Sequence, residues 1–210
     1  MINKKKIIAS TLFTLLPILA GVLLWNKLPD TVPIHWNLSG EIDGWAPKTV
    51  AIIPLPLLLA ALNFACIFAT HADNKKREQN KKMMSLVYWI CPALSIVLSG
   101  IIYCTSLGFS FNAVKITPFA TGILFFIIGN YMPKCRYNRT IGIRIPTTLK
   151  SEENWDKTHF FAGKIWVVGS MFIILSAFLP ENIMFWVFLT VVIIMALVPI
   201  IYSVAISKKK

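Results

Sequence analysis

Six stretches of the chain are long, apolar and almost free of charge: residues 7–25, 50–70, 86–107, 116–132, 160–179 and 184–206. A helix that crosses a bilayer needs about 20 predominantly apolar residues, so the pattern predicts six transmembrane helices and an all-α integral membrane protein. The fifth stretch holds Lys164, whose ammonium can snorkel to the headgroups; a shorter span beginning at Ile165 is the alternative. Prolines mark several helix starts. Pro54, Pro56, Pro92 and Pro118 fall in or near an expected first turn, whereas Pro17 and Pro199 lie deeper and are expected to kink their helices.

Two connecting segments are too long and too specific to be simple turns. Residues 28–49 read LPDTVPIHWNLSGEIDGWAPKT, with Pro29 and Pro33 keeping the entry extended and Ser39 and Gly40 signalling a turn. The flanking Ile34, Trp36, Ile42 and Trp45 predict a small hairpin lying on the bilayer surface. His35, Trp36, Asn37, Glu41, Asp43 and Trp45 make it either a recognition surface or an interfacial cap anchored by its tryptophans. Residues 133–164 carry Arg136, Arg139 and Arg144 with Asn138, Thr140, Thr147 and Thr148, types that bind phosphate or carboxylate, with Gly142 and Pro146 shaping the backbone between them. The plainer alternative is that these arginines touch lipid phosphates. Ser151 is a good N-cap, Glu152, Glu153 and Asp156 suit the positive end of a helix dipole, and Trp155, His159 and Ala162 recur at helical spacing. A short amphipathic helix from about Glu152 running into the fifth span is therefore expected. Residues 71–82 read as a solvated polar connector, and Asn63 and Asn130 as interhelical hydrogen-bonding groups within spans, with a conduction path as the alternative.

Composition agrees with the spans. The apolar fraction is 56%, the charged fraction 14%, and the mean hydropathy +0.67, which leaves no room for a large water-soluble catalytic domain. The net charge of +12 takes its meaning from topology. With six spans, eighteen of the 21 Lys and Arg fall on one side and three, Lys27, Lys48 and Lys115, on the other. The positive-inside rule then puts both termini, and residues 133–164, in the cytoplasm, and residues 28–49 outside. Attraction to anionic lipid accounts for the basic character, and no direct nucleic-acid binding is expected. The first run, 19 residues ending without a small-x-small site, reads as a retained anchor rather than a cleaved signal. The expected division is 1–70 for the first two spans and their loop, 71–132 for the third and fourth, and 133–210 for the second polar segment and the last two spans.

Catalytic signals are sparse. Cys66, Cys91, Cys104 and Cys135 include no C-x-x-C pair, and His35, His71 and His159 show no metal-ligand spacing, so neither a metal site nor a cofactor is expected. No nucleophile elbow, phosphate loop or intramembrane aspartate pair is present, and no catalytic residues are assigned. Two alternatives stay open: a membrane enzyme modifying a lipid or peptide with the Arg cluster and His159, and an exporter or flippase.

Both polar segments together resemble the SdpI family of bacterial membrane immunity proteins. VPIHWNLSGEIDGW is similar to the small N-terminal domain of that family. The second segment resembles its C-terminal signature at Asn130, Tyr131, Pro133, Lys134, Asn138, Ile141, Gly142, Ile143, Arg144, Pro146, Thr148, Leu149, Trp155, Thr158, His159 and Gly163. The resemblance implies a multi-pass protein of the bacterial cell membrane that gives immunity to a secreted, membrane-active peptide toxin. It further implies a signalling receptor that holds a small cytoplasmic autorepressor at the membrane. On this reading the residues of the hairpin form an external toxin-binding loop. Asn138, Arg139, Gly142, Arg144, Pro146, Thr148, Trp155 and His159 form a cytoplasmic functional surface.

Overall fold

A computed structural model describes residues 3–37, 39–74, 79–109 and 112–208. Lys75, Lys76 and Arg77 of the expected connector, and Lys209 and Lys210 of the basic tail, lie outside the described residues. Among the described residues six helices are long and apolar enough to cross a membrane, and the only sheet is a two-stranded one. The protein is thus an all-α membrane protein carrying one small hairpin. The chain forms two compact units, Met1–His71 with Ser85–Ala113, and Ala72–Met84 with Val114–Lys210.

In the first unit, helix α1 (Lys4–Leu23) starts where the Asn3 carboxamide accepts from the Lys6 N–H at 3.1 Å. Strands β1 (Thr31–Trp36) and β2 (Ile42–Pro47) follow, then α2 (Lys48–Ile52) and α3 (Pro54–Asn74), separated only by Ile53. Pro54 has no N–H to continue the ladder, which places the break there. Together α2 and α3 supply the second span, Lys48–Ala72. The third is α4 (Lys81–Ser106). Leu28, Val32, Ala51, Ile52, Ile102 and Tyr103 form a buried cluster that ties the foot of the hairpin to the helices.

Deeper in this unit the helices are held by polar groups. Asn63 donates to Ser10 Oγ at 3.2 Å, Ser95 donates to the Thr14 carbonyl at 2.7 Å, and the Tyr103 hydroxyl donates to the Pro17 carbonyl at 2.9 Å. Lipid tails offer no hydrophobic drive between helices, so such bonds and close packing hold a bundle together. Asn63 therefore has the interhelical role expected of it. Asn130, expected in the same role, lies exposed on its helix.

The second unit contains α5 (Ala113–Tyr131), a 3-10 turn (Met132–Lys134), α6 (Pro146–Lys150), α7 (Glu152–Ser176) and α8 (Glu181–Ser207). Ser151 Oγ accepts from the Asn154 N–H at 3.2 Å, and Glu152 and Glu153 occupy the first turn. The expected amphipathic helix and the fifth span are accordingly one continuous α7. A Cβ at Gly129 of α5 would lie 2.8 Å from Trp166 Cβ, so the missing side chain is what lets α5 and α7 approach. Helix α8 packs on α7 through Trp166, whose indole N–H donates to the Met195 carbonyl at 3.0 Å, and through the stacked rings of Phe161 and Tyr202.

The connector at 71–82 needs correcting. Helix α3 continues to Asn74 and α4 already begins at Lys81, where the Asn80 carboxamide accepts from the Lys82 N–H at 2.9 Å. Pro92 consequently lies well inside α4 rather than near its start. The connector is not wholly solvated either. Gln79 is buried and clamps the backbone of Arg136, donating to its carbonyl at 2.6 Å and accepting from its N–H at 3.2 Å.

Candidate functional site

The hairpin is built by an inward apolar face and a tethered base. Val32, Pro33 and Ala46 are buried, and Trp36 is half-buried against the cluster below. Lys48 fastens the base: its ammonium lies 3.1 Å from Asp30 Oδ1, donates to the Trp25 carbonyl at 3.3 Å and sits 4.9 Å from the centre of the Trp25 ring. The strands pair Val32 with Ala46 and His35 with Gly44, with irregular register on either side of His35.

On the outward face the polar residues are matched to one another. His35 Nδ1 lies 2.5 Å from Asp43 Oδ1, with the His35 side chain largely exposed and that of Asp43 a little under half exposed. Asn37 donates to Glu41 Oε2 at 2.9 Å, while its own carbonyl oxygen accepts from the N–H groups of Ser39 and Glu41 and so shapes the turn. Trp45 is 56% exposed and Ile34 45%. Of the six residues singled out in this loop, the structure joins His35 with Asp43 and Asn37 with Glu41, leaves Trp45 displayed, and turns Trp36 toward the core.

The segment between α5 and α7 works the other way. Asn138 is buried; its amide donates to the carbonyls of Arg136 and Ile141 at 2.8 and 3.0 Å, and its oxygen accepts from the N–H groups of Thr140 and Ile141, both at 2.7 Å. Thr148 donates to the Ile143 carbonyl at 2.7 Å and accepts from the Ile145 N–H at 3.1 Å. Trp155, fully buried, donates from Nε1 to the Cys135 carbonyl at 2.9 Å. Its ring stacks on His159 with centroids 4.0 Å apart. His159 spends both nitrogens inside the protein: Nε2 accepts from the Ile143 N–H at 2.9 Å, and Nδ1 lies 2.8 Å from the Trp155 carbonyl, which requires its proton there. Gly142 has φ +104°, and a Cβ on it would strike His159 Nε2.

Asn138, Thr148, Trp155 and His159 therefore do not belong to a surface. A loop without regular secondary structure has backbone groups that need partners, and these side chains supply them. The exposed members are Arg139, Arg144, Pro146 and Gly142. Arg144 donates to the Thr140 carbonyl at 3.1 Å, which holds its guanidinium along the loop. Cys135 lies beneath, and burial pushes its thiol up to about 12, so it is no nucleophile at neutral pH. Among the described residues no three His, Cys, Asp or Glu are grouped to hold a metal ion.

Some contributors had little signal in the sequence. Asn154 donates to the Ser203 carbonyl at 2.9 Å and accepts from Ser203 Oγ at 2.6 Å and from Thr158 at 3.0 Å, tying α7 to α8. Ser203 sits in a mostly apolar run, where its small hydroxyl beside Tyr202 is the only hint.

Comparison with known proteins adds to this geometry. The profile of the SdpI/YfhL protein family matches residues 134–203, and that of a domain of unknown function (DUF1648) matches residues 12–60. The chain is 32% identical over 197 residues to the immunity protein SdpI of Bacillus subtilis (strain 168), covering 92% of this chain and 91% of that one. No solved structure matches. The match at 12–60 contains the hairpin, and the match at 134–203 contains the loop that leads into α7.

Proposed function

The chain belongs to the SdpI/YfhL family and is a multi-pass bacterial membrane protein, and from that premise we propose that it is a non-enzymatic immunity protein against a secreted, membrane-active peptide toxin. The observation that carries this reading is the likeness to an immunity protein along nearly the whole chain, through both polar segments. The side-chain geometry supports the absence of catalysis. Within the second polar segment His159 and Cys135 are both buried, and His159 has both ring nitrogens engaged there.

Three spans separate the hairpin from the arginine loop, so a chain that crosses at each of them has the two on opposite sides of the membrane. Eighteen basic residues against three favour the hairpin outside and the loop in the cytoplasm. The hairpin, with Trp45, Ile34 and the His35 and Asp43 pair displayed, is then the toxin-facing surface. Arg139 and Arg144, held on a rigid loop, form the cytoplasmic face on which a small autorepressor is retained when toxin is present.

Expression in a toxin-sensitive cell is the direct test: survival at toxin doses that kill the parent is expected, and unchanged killing overturns the assignment. Single cysteines at positions 39 and 140, in a background lacking the native thiols, test the orientation with an impermeant reagent on intact cells. Labelling at 39 with protection at 140 is expected; the reverse pattern inverts the proposal. Toxin-dependent recruitment of a fluorescent repressor to the membrane tests the receptor role.

A further inference from the structure

Where α6, the start of α7 and the end of α8 meet, the second unit has a cavity of about 360 Å³ that the immunity reading does not use. Lys150 and Lys157 line it, with the hydroxyl residues Thr147, Ser151 and Ser207. Its floor is fixed: Thr147 and Ser203 hydroxyls lie 2.6 Å apart, and Asn154, buried, is bonded to Ser203 through both ends of its carboxamide. Glu153 is the one carboxylate of the lining, and it lies 2.7 Å from Lys157. The lining thus carries one net positive charge; Ser207 donates to the Val204 carbonyl at 2.8 Å and Thr147 to Ser203, so the two ammonium groups and the Ser151 hydroxyl are the donors it offers, a set that suits a phosphodiester.

The depth of the cavity identifies the source of that phosphodiester. The apolar run of α8 ends at Ser207, so the lining lies where the helix leaves the hydrocarbon. Lys164 points its ammonium over the Phe160 ring, 4.5 Å from its centre, as a lysine does when it reaches toward the headgroups. One turn from the lining on the same helices, Phe160 follows Lys157 and Val204 precedes Ser207, both apolar and exposed. Polar lining and apolar wall are arranged as a lipid presents its headgroup and chains.

We propose that this cavity holds the headgroup of an anionic phospholipid, with Lys150, Lys157 and the Ser151 hydroxyl on the phosphate oxygens. The site depends on neither the orientation of the chain nor its role in immunity.

The test uses the full chain purified in neutral detergent and titrated with dihexanoyl phosphatidylglycerol, dihexanoyl phosphatidylcholine or glycerol 3-phosphate, with bound molecules counted by native mass spectrometry. Lys150→Gln with Lys157→Gln should weaken binding of the phosphatidylglycerol about tenfold, the scale of one to two lost charge-assisted hydrogen bonds. Lys208→Gln, which removes a single charge outside the lining, should leave it within about twofold. Both lysines of the double variant are exposed, and a retained helical circular dichroism signal verifies that it folds. Unchanged binding in the double variant, or equal loss in Lys208→Gln, overturns the site in favour of diffuse attraction to basic surface. Glycerol 3-phosphate binding as tightly as the lipid overturns the lipid assignment in favour of a soluble phosphate.

Discussion

The hairpin and the loop between α5 and α7 are both rich in polar side chains, yet they use them in opposite directions. In the hairpin, apolar residues face inward and the polar ones pair with each other outside, His35 with Asp43 and Asn37 with Glu41. In the loop, the polar residues face inward and satisfy the backbone, so that the arginines can be held on the outside of a fixed frame. Loss of an inward polar group leaves a buried donor or acceptor without a partner, whereas loss of an outward one leaves it to water. The two regions should therefore answer substitution differently: the loop through stability, the hairpin through recognition.

Trp155→Ala gives the largest effect that follows from this contrast. It removes a fully buried ring, the stacking partner of His159 and the donor to the Cys135 carbonyl. A loss of about 3–5 kcal/mol is expected, read as a collapse in membrane abundance and in the thermal midpoint of detergent-solubilised protein. Gly142→Val should approach it, because a side chain there meets both a positive φ and the His159 ring. His159→Ala, which orphans the Ile143 N–H, should cost about 2 kcal/mol. Near-normal abundance of all three variants would break the view that this loop is a frame.

The spans were legible because hydropathy over some twenty residues is a property of composition, and the hairpin because Ser39 and Gly40 sit between short apolar strands. The start of α7 was legible from Ser151 followed by two glutamates. The early start of α4 was not, since Lys81 and Lys82 end an apolar run while remaining good helix formers. Least legible was the direction in which a polar side chain faces. Asn138, Thr148 and His159 have the residue types of a binding surface, and only the folded loop reveals the backbone groups that claim them.

Cys135 sharpens the comparison at an intermediate level. Burial raises its thiol from the ordinary 9.0 to about 12, so the folded state keeps a proton that the unfolded state sheds. The stability contributed by the neutral thiol is intact below the ordinary value and is lost as pH rises from there toward about 12. At pH 10 the loss should be about 1 kcal/mol, seen as a fall in thermal midpoint between pH 8 and 10 that is shallower in Cys135→Ala. Maleimide should leave this thiol unlabelled in the folded protein at pH 7.5 and label it in denaturant. Ready labelling of the folded form would mean that the frame opens.

The hairpin supplies the smallest effect on stability and the clearest test of what its outward face does. His35 and Asp43 are close enough for an ion pair, but an exposed pair contributes at most about 1 kcal/mol, since water competes for both partners. Trp45 is more than half exposed, and its removal takes little apolar area out of the protein. The combined variant His35→Ala, Asp43→Ala and Trp45→Ala should therefore accumulate in the membrane like the parent, with a thermal midpoint lowered by only a few degrees. If the hairpin is the surface that meets the toxin, the same variant should lose protection in a killing assay, by tenfold or more in the toxin dose tolerated, the scale on which a displayed aromatic anchor contributes to binding. Lys48→Ala serves as the counterpart, because it unfastens the base from Asp30 and Trp25 while leaving the display intact. Protection that survives the triple variant and fails with Lys48→Ala would make the hairpin a cap rather than a recognition surface.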